Sequence, residues 1–247
     1  MRVLLTNDDG YHAQGLQAVA AALAARGDTV WVVAPKANKS GTSCCLTLDR
    51  PLAVHAFNDT HFSVDGTPAD CVHIALTGLA SVDAFDAVVS GINDGANLGD
   101  DAIHSGTLGA ATQAHLYGLP ALAVSLVERG WGQLEVAVQV TLATLDRLVA
   151  RPTPELWNLN VPNRSHATSL PAVQWARIGR RTPSHPVQAL LSPKGEQYFW
   201  LGAGGDELPE AGTDMAAVAA GYASLTPVTL DRSDLRALAA YQSGVAS

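Results

Sequence analysis

Val3-Leu4-Leu5-Thr6-Asn7-Asp8-Asp9-Gly10 is a short apolar run that stops at two adjacent carboxylates and a glycine. Such a run reads as a buried strand that delivers two acids to the edge of a sheet. Neighbouring anions repel, and a hard divalent cation with oxygen ligands is the simplest partner for both. Asn-Asp-Asp-Gly also suits a plain polar turn, because each of its residues favours turns for its own reason. The surrounding chain decides between these readings.

Downstream, Leu16, Val19, Ala20, Leu23 and Ala24 recur at helical spacing, and Gly27 follows as a C-terminal stop. Thr29-Val30-Trp31-Val32-Val33 is a second apolar run. Strand, helix and strand, with both strands almost continuously apolar, predict a parallel sheet covered on both faces. Parallel strands end on the same edge, so the polar loop from Ala34 to Gly41, with Ser40 in it, opens beside Asp8 and Asp9. A third strand, Ala87-Val88-Val89-Ser90, runs into Gly91-Ile92-Asn93-Asp94-Gly95-Ala96-Asn97-Leu98-Gly99-Asp100-Asp101, which is too rich in glycine and polar oxygens for a core. His104-Ser105-Gly106-Thr107 then leads an Ala-rich helix from Leu108 to Tyr117. A Ser-Gly-Thr segment at a helix start suits a phosphate, and its hydroxyls also suit capping.

Ala121 to Ser125 reads as a strand, Gln133 to Val149 as a long helix and Leu156 to Val161 as a further strand. Together these complete a doubly wound unit of about 160 residues, a normal domain size. Between the second and third core strands, residues 44–64 alternate loosely and predict strands or a hairpin. Thr67, Pro68 and Asp70 have the spacing of an N-cap, a first helical residue and an acid at the third position. Beyond Pro162 the alternation of strand and helix gives way to prolines, glycines and short runs such as Gln197 to Leu201. Hairpins or an extended arm serving an oligomer interface are expected there, followed by a helix capped by Thr213, a strand from Tyr222 to Val228 and a final helix from about Ser233 to Tyr241. The whole, residues 1–247, reads as a single α/β domain: a Rossmann-like, doubly wound, mostly parallel core over about 1–162 and a C-terminal extension over about 163–247.

Bulk properties narrow the function. A formal charge of -8 and the lack of any Lys/Arg run exclude a nucleic-acid scaffold. No apolar run is long enough for a transmembrane helix, and Asp8 and Asp9 fall where a secretory signal needs its apolar stretch, so a cytoplasmic protein is expected. Cys44, Cys45 and Cys71 lack zinc-ligand spacing and read as reduced thiols. The strand ends bring Asp8, Asp9, Ser40 and Asn93 together, an all-oxygen set fit for Mg²⁺, Mn²⁺ or Ca²⁺ and poor for copper or structural zinc. One such cation leaves coordination positions open for water and a phosphate oxygen.

Thr6-Asn7-Asp8-Asp9-Gly10, Ala34-Pro35 with Ser40-Gly41, Gly66-Thr67-Pro68, Ser90-Gly91-Ile92-Asn93 with Gly95 and Asn97, and His104-Ser105-Gly106-Thr107 resemble, in order, the signatures of the SurE-type survival proteins, a family of metal-dependent 5′-nucleotidases. The resemblance spans roughly residues 1 to 125 and continues weakly through Asn158-Leu159-Asn160-Val161-Pro162 and from Thr213-Asp214 to Pro227. Gln14 departs from it where a proline is frequent, and Thr42-Ser43-Cys44-Cys45 is an individual version of a variable stretch. It implies a Rossmann-like core, one divalent cation per subunit held by Asp8, Asp9, Ser40 and Asn93, release of phosphate from nucleoside monophosphates, and a C-terminal arm swapped within homodimers or homotetramers. On that reading Asp8 and Asp9 are catalytic, and Asn97, Ser105, Gly106 and Thr107 hold the phosphate. His104 is a candidate acid for the leaving alkoxide. Attack by a metal-activated water and attack by Asp8 itself are both compatible with these residues. Alternatives are activity on 3′-nucleotides or short polyphosphate, and a non-catalytic Mg²⁺-binding phosphoacceptor switch, which also carries an acid pair after a first strand.

Overall fold

Strand β1 (Arg2–Thr6) alternates its apolar side chains between two cores: Val3 and Leu5 face one, Leu4 the other. Both faces must therefore be covered, and the chain supplies the covers in turn. The structure is a computed structural model that describes residues 1–163, 170–202 and 204–243. After β1 come α1 (Gln14–Ala25), β2 (Thr29–Pro35), the short pair β3 (Val54–Ala56) and β4 (His61–Val64), and α2 (Pro68–Ile74). Next follow β5 (Ala87–Asp94), α3 (Gly106–Leu116), β6 (Ala121–Val127), α4 (Leu134–Val149) and β7 (Leu156–Pro162). Helices α1 and α4 pack on one face through Leu16, Val19, Leu23, Leu145 and Leu148, while α2 and α3 cover the other through Cys71, Val72, Leu108 and Ala111.

Among the described residues the central sheet runs β4-β2-β1-β5-β6-β7, all parallel, with β3 antiparallel on the β4 edge. The chain starts in the middle, winds outward to β4, then returns to β5 beside β1 and winds the other way. This is the expected Rossmann-like order, and its reversal opens a crevice between the ends of β1 and β5.

The sheet does not stop at β7. From the C-terminal region, β8 (Val173–Trp175), β9 (Arg180–Arg181), β10 (Gln188–Leu191), β11 (Gln197–Trp200), β12 (Glu207–Leu208), α5 (Asp214–Ala219), β13 (Ala223–Val228) and α6 (Leu235–Gln242) complete the order. Strand β13 pairs antiparallel with β7, and β8 pairs with β13, so two strands beyond residue 162 extend the core sheet. The expected hairpin is present as β10 paired with β11, and every residue of both strands is exposed. Residues 164–169, where the expected extension begins, lie outside the described residues.

The loose alternation over 44–64 yields only β3, β4 and an irregular approach in which Leu48 remains 88% exposed. On β4, Phe62 and Val64 pack into the cluster that α2 covers, whereas β3 is exposed along its whole length, and alternation without burial does not fix a strand. The irregular segment is tied down by hydrogen bonds instead. Ser43 Oγ donates to the Ile103 carbonyl, the Thr47 N–H and hydroxyl donate to Asp70, and the Thr67 hydroxyl donates to the Cys45 carbonyl. Cys44 and Cys45 lie exposed on it, Cys71 is buried, and all three are free thiols.

Asp70 also closes the predicted capping box: its N–H donates to Thr67 Oγ1 at 3.1 Å and its carboxylate accepts the Thr67 N–H at 2.8 Å. Burial pushes the carboxyl up, but the bonds from Thr47 and Thr67 together outweigh burial and hold it below its usual range. A depressed folded pKa contributes stability above the unfolded value, and that contribution is lost as pH falls through the folded one. Asp70→Asn is therefore expected to cost about 1–3 kcal/mol at neutral pH in urea unfolding. The gap between variant and wild type should close in strong acid; an unchanged gap would remove the carboxylate as its source.

Candidate active site

The turn after β1 is braced by its own asparagine. Asn7 Nδ2 donates to the Gly10 carbonyl at 2.9 Å, and its Oδ1 accepts the Gly10 N–H at 3.2 Å. Gly10 has φ +106°, a conformation that side chains resist. This closed turn fixes the direction of Asp8 and Asp9, so the turn and the site are one object.

Asp8 is only 4% exposed. Its Oδ1 accepts the Thr107 hydroxyl at 2.6 Å, and its backbone carbonyl accepts the Lys39 N–H at 2.7 Å. The first turn of α3 presses on it: a Cβ at Gly106 would stand 2.9 Å from Asp8 Cβ, so only glycine lets the helix approach. Burial first, and the charge of Asp9 with it, push the Asp8 carboxyl up to about 6 against the opposing bonds from Thr107. Asp9 is raised as well, chiefly by burial, with the Asp94 charge adding to this and the Arg129 charge opposing it. Its Oδ2 accepts the Asp94 N–H at 3.1 Å and its Oδ1 the Asn38 side-chain amide at 3.2 Å. Asn38 Oδ1 in turn accepts the Ser40 N–H, which links the acid pair to the second loop.

Asp8, Asp9, Ser40, Asn93, Asn97, His104 and Ser105 all line one cleft of about 590 Å³ at the β1/β5 crevice. Asn93 Nδ2 donates to the Gly95 carbonyl at 2.8 Å, and among the described residues nothing bonds its Oδ1. Among the described residues no three of His, Cys, Asp and Glu converge as a metal cluster. The donors are two carboxylates completed by a hydroxyl and an amide oxygen, a set suited to a hard cation that keeps part of its water. Acids pushed up by burial and by neighbouring carboxylates are the groups a cation would relieve.

The phosphate end divides. Ser105 lines the cleft and caps α3, its Oγ accepting the Leu108 N–H at 3.0 Å, so its hydroxyl proton remains available. Gly106 and Thr107 do not line the cleft: Gly106 gives space to Asp8, and the fully buried Thr107 spends its hydroxyl on Asp8. Asn97 is held on three sides. Its carbonyl accepts the amides of Asn158 and Asn160, its N–H donates to Asn160 Oδ1, and its Nδ2 donates to Ser125 Oγ at 2.7 Å. Ser125 can donate as well as accept, so either amide orientation of Asn97 is supported and the opposite one turns Nδ2 toward the cleft.

Asn38, Asp94 and Arg129 also line the cleft and were not singled out from the sequence. Arg129 lies in a fourth loop, after β6, at the same carboxyl edge as the other three. Its position just past a core strand was the available signal.

A doubly wound α/β protein with an acidic, oxygen-lined cleft at its switch point is thus defined. The chain belongs to the SurE family: residues 3–185 match the family described as survival protein SurE. It is 48% identical over 243 residues to the 5′-nucleotidase SurE of Laribacter hongkongensis (strain HLHK9), covering 97% of each chain. It is also similar to the crystal structure of the SurE protein from Aquifex aeolicus, with a TM-score of 0.82 and 33% identity over 98% of this chain and 100% of that one.

The Asp8 carboxyl gives a sign that a cation-free preparation can test. A folded pKa above the unfolded 3.8 means that ionisation penalises the folded state; the penalty is absent below about pH 4 and complete above about pH 6. Asp8→Asn keeps an acceptor for Thr107 and removes the charge. With chelator present it is expected to be more stable than wild type at pH 7.5, by up to about 3 kcal/mol, and equal to it in acid, read by denaturant unfolding.

Proposed function

We propose that the chain is a divalent-metal-dependent phosphatase that hydrolyses nucleoside 5′-monophosphates to nucleoside and phosphate. The observation that carries this reading is a single cleft that holds the buried Asp8, bonded to the first turn of α3, and the half-buried Asp9, both with raised carboxyls. The name of the Laribacter relative supports the substrate class. Asp8, Asp9, Ser40 and Asn93 are the residues that hold the cation; when bound, it supplies Lewis-acid polarisation of a phosphoryl oxygen. Ser105, the N-cap of α3, donates its hydroxyl proton to a phosphate oxygen, which sets the phosphate at the positive end of that helix. Asn97 donates there in the amide orientation that Ser125 supports as donor. His104 lines the cleft and protonates the departing alkoxide.

Asp8 is read as a fixed ligand rather than a nucleophile, because Thr107 holds one oxygen and Gly106 packs against its Cβ. A phosphoenzyme trapped on Asp8 would reverse that assignment. Past Asp101 and His104 the cleft adjoins a depression lined by Arg180, Arg181, Thr182 and Ser184, which offers room for the nucleoside.

Multiple turnover of AMP with Mn²⁺, abolished by EDTA, is the expected result. Asp8→Asn and Asp9→Asn should each lose at least about a hundredfold in kcat. Stoichiometric labelling without turnover would instead support the phosphoacceptor switch, and wild-type activity in both variants would refute the metal assignment. A panel including 3′-nucleotides and short polyphosphate sets the breadth of the reaction.

The β10–β11 hairpin supports a homodimer or homotetramer. A two-stranded hairpin is marginal alone, yet Leu190, Leu191, Tyr198, Phe199 and Trp200 are all exposed on it. In sedimentation, the paired change Phe199→Lys with Trp200→Lys is expected to lower the assembly toward monomer; an unchanged mass would place the interface elsewhere.

A further inference from the structure

Among the described residues the cleft is lined by five carboxylates, those of Asp8, Asp9, Asp94, Asp101 and Glu128, and by one Lys or Arg, Arg129. A bound divalent cation offsets Asp8 and Asp9, and Arg181 pairs with Asp101, but Asp94 still faces a dianionic phosphate ester. Like-charge opposition of that kind must be met by a fixed cation or the substrate is repelled. The neighbouring arginines are already committed: Arg180 pairs with Asp100 at 3.1 Å, and Arg181 with Asp101 at 2.8 Å and Glu207 at 3.3 Å. Among the described residues no ion pair or hydrogen bond engages the Arg129 side chain, which is exposed at the mouth of the cleft.

The loop that carries Arg129 is held in place around it. Asn163, directly after β7, donates from Nδ2 to the carbonyls of Glu128 at 3.0 Å and Gly130 at 2.5 Å, one on each side of Arg129. Asn163 Oδ1 accepts the Gln133 N–H at 2.8 Å, fixing the amide's direction. From the other side Asp94 Oδ1 accepts the Gly130 N–H at 2.7 Å, and the Asp94 N–H donates to Asp9. Two hydrogen bonds thus connect the residue after Arg129 to a metal-ligand candidate. Glu128 has φ +67°, a left-handed conformation uncommon outside glycine, asparagine and aspartate, so the loop stores strain next to the arginine it presents.

We infer that Arg129 clamps the substrate phosphate, and that Asn163 is a positioning residue that holds the Arg129 loop for this task. The guanidinium fork matches phosphate oxygens two at a time, which a lysine ammonium cannot do. The inference rests on the phosphatase reading of the cleft and adds the group that admits the dianion to it.

The test compares wild type with Arg129→Ala, Arg129→Lys and Asn163→Ala in two measurements. Steady-state kinetics on AMP with Mn²⁺ is expected to show KM about 10- to 100-fold higher in Arg129→Ala with a much smaller change in kcat, and Arg129→Lys in between. Calorimetric binding of inorganic phosphate to the Mn²⁺-loaded proteins should weaken by a similar factor and become less sensitive to salt. Mn²⁺ affinity measured without phosphate should be retained in Arg129→Ala. Asn163→Ala should share the KM rise, and the double variant should be no worse than Arg129→Ala alone. KM and phosphate affinity within twofold of wild type in Arg129→Ala would overturn the clamp, and full additivity in the double variant would overturn the positioning role. If Arg129→Ala failed to fold, Arg129→Gln against Arg129→Lys makes the same comparison, with equal values for the two overturning the clamp. A wild-type protein that turns over no nucleotide would sink the phosphatase reading, while the phosphate-binding comparison would still decide the role of Arg129.

Discussion

The hydrogen bond from Thr107 to Asp8 joins parts of the chain that lie 99 residues apart. It ties the first turn of α3 to the end of β1, and the missing side chain of Gly106 lets that turn come close enough to form it. Without this tie, two adjacent carboxylates would have every electrostatic reason to turn away from each other and toward water. With it, Asp8 is held buried and its carboxyl is pushed up, a cost that the sheet around it must bear. The neighbouring loops conform to that constraint: Asn38 and the Asp94 backbone hold Asp9, and the Asn93 amide is turned by Gly95.

The outward-then-back winding of the strands makes this arrangement reachable. Placing β5 beside β1 sets Asn93 one strand from the acid pair, and β6 beyond it contributes Ser125 beneath Asn97. Two buried asparagines of β7, Asn158 and Asn160, then grip the Asn97 backbone. A glycine-rich loop is thereby given a definite shape by side chains from the sheet, which is why it can be both polar and well fixed.

Much of this was legible in the sequence because it depends on short-range rules. An apolar run ending in two acids, the capping spacing of Thr67 and Asp70, and the common edge of parallel strands together anticipate the core sheet and the gathering of Asp8, Asp9, Ser40 and Asn93 in one cleft. What remained unread depends on direction and on distant pairing. Sequence does not say whether the Thr107 hydroxyl points to the cleft or to Asp8, and it points to Asp8. Nor does a short run such as Ala223 to Val228 announce that it will extend the central sheet beside β7, because pairing is decided by what edge is free. The Asn163 side chain reaches the carbonyls on either side of Arg129, a relation with no periodic signature. At residues 44–64 the alternation was real, but while Phe62 and Val64 of β4 reach the core, most of the rest is exposed and irregular.

One consequence of the Asp70 capping box reaches beyond α2. The same carboxylate receives both donors of Thr47, and Thr67 holds Cys45, so the segment from Lys39 to Thr47 is moored at α2. Its other mooring is the active site, where Lys39 bonds the Asp8 carbonyl and Ser43 bonds the carbonyls of Ile103 and His104. Ser40 hangs between these two attachments. The helix start and the hydroxyl proposed for the cation are therefore thermodynamically linked, and whatever loosens the cap slackens the span on which that hydroxyl rides.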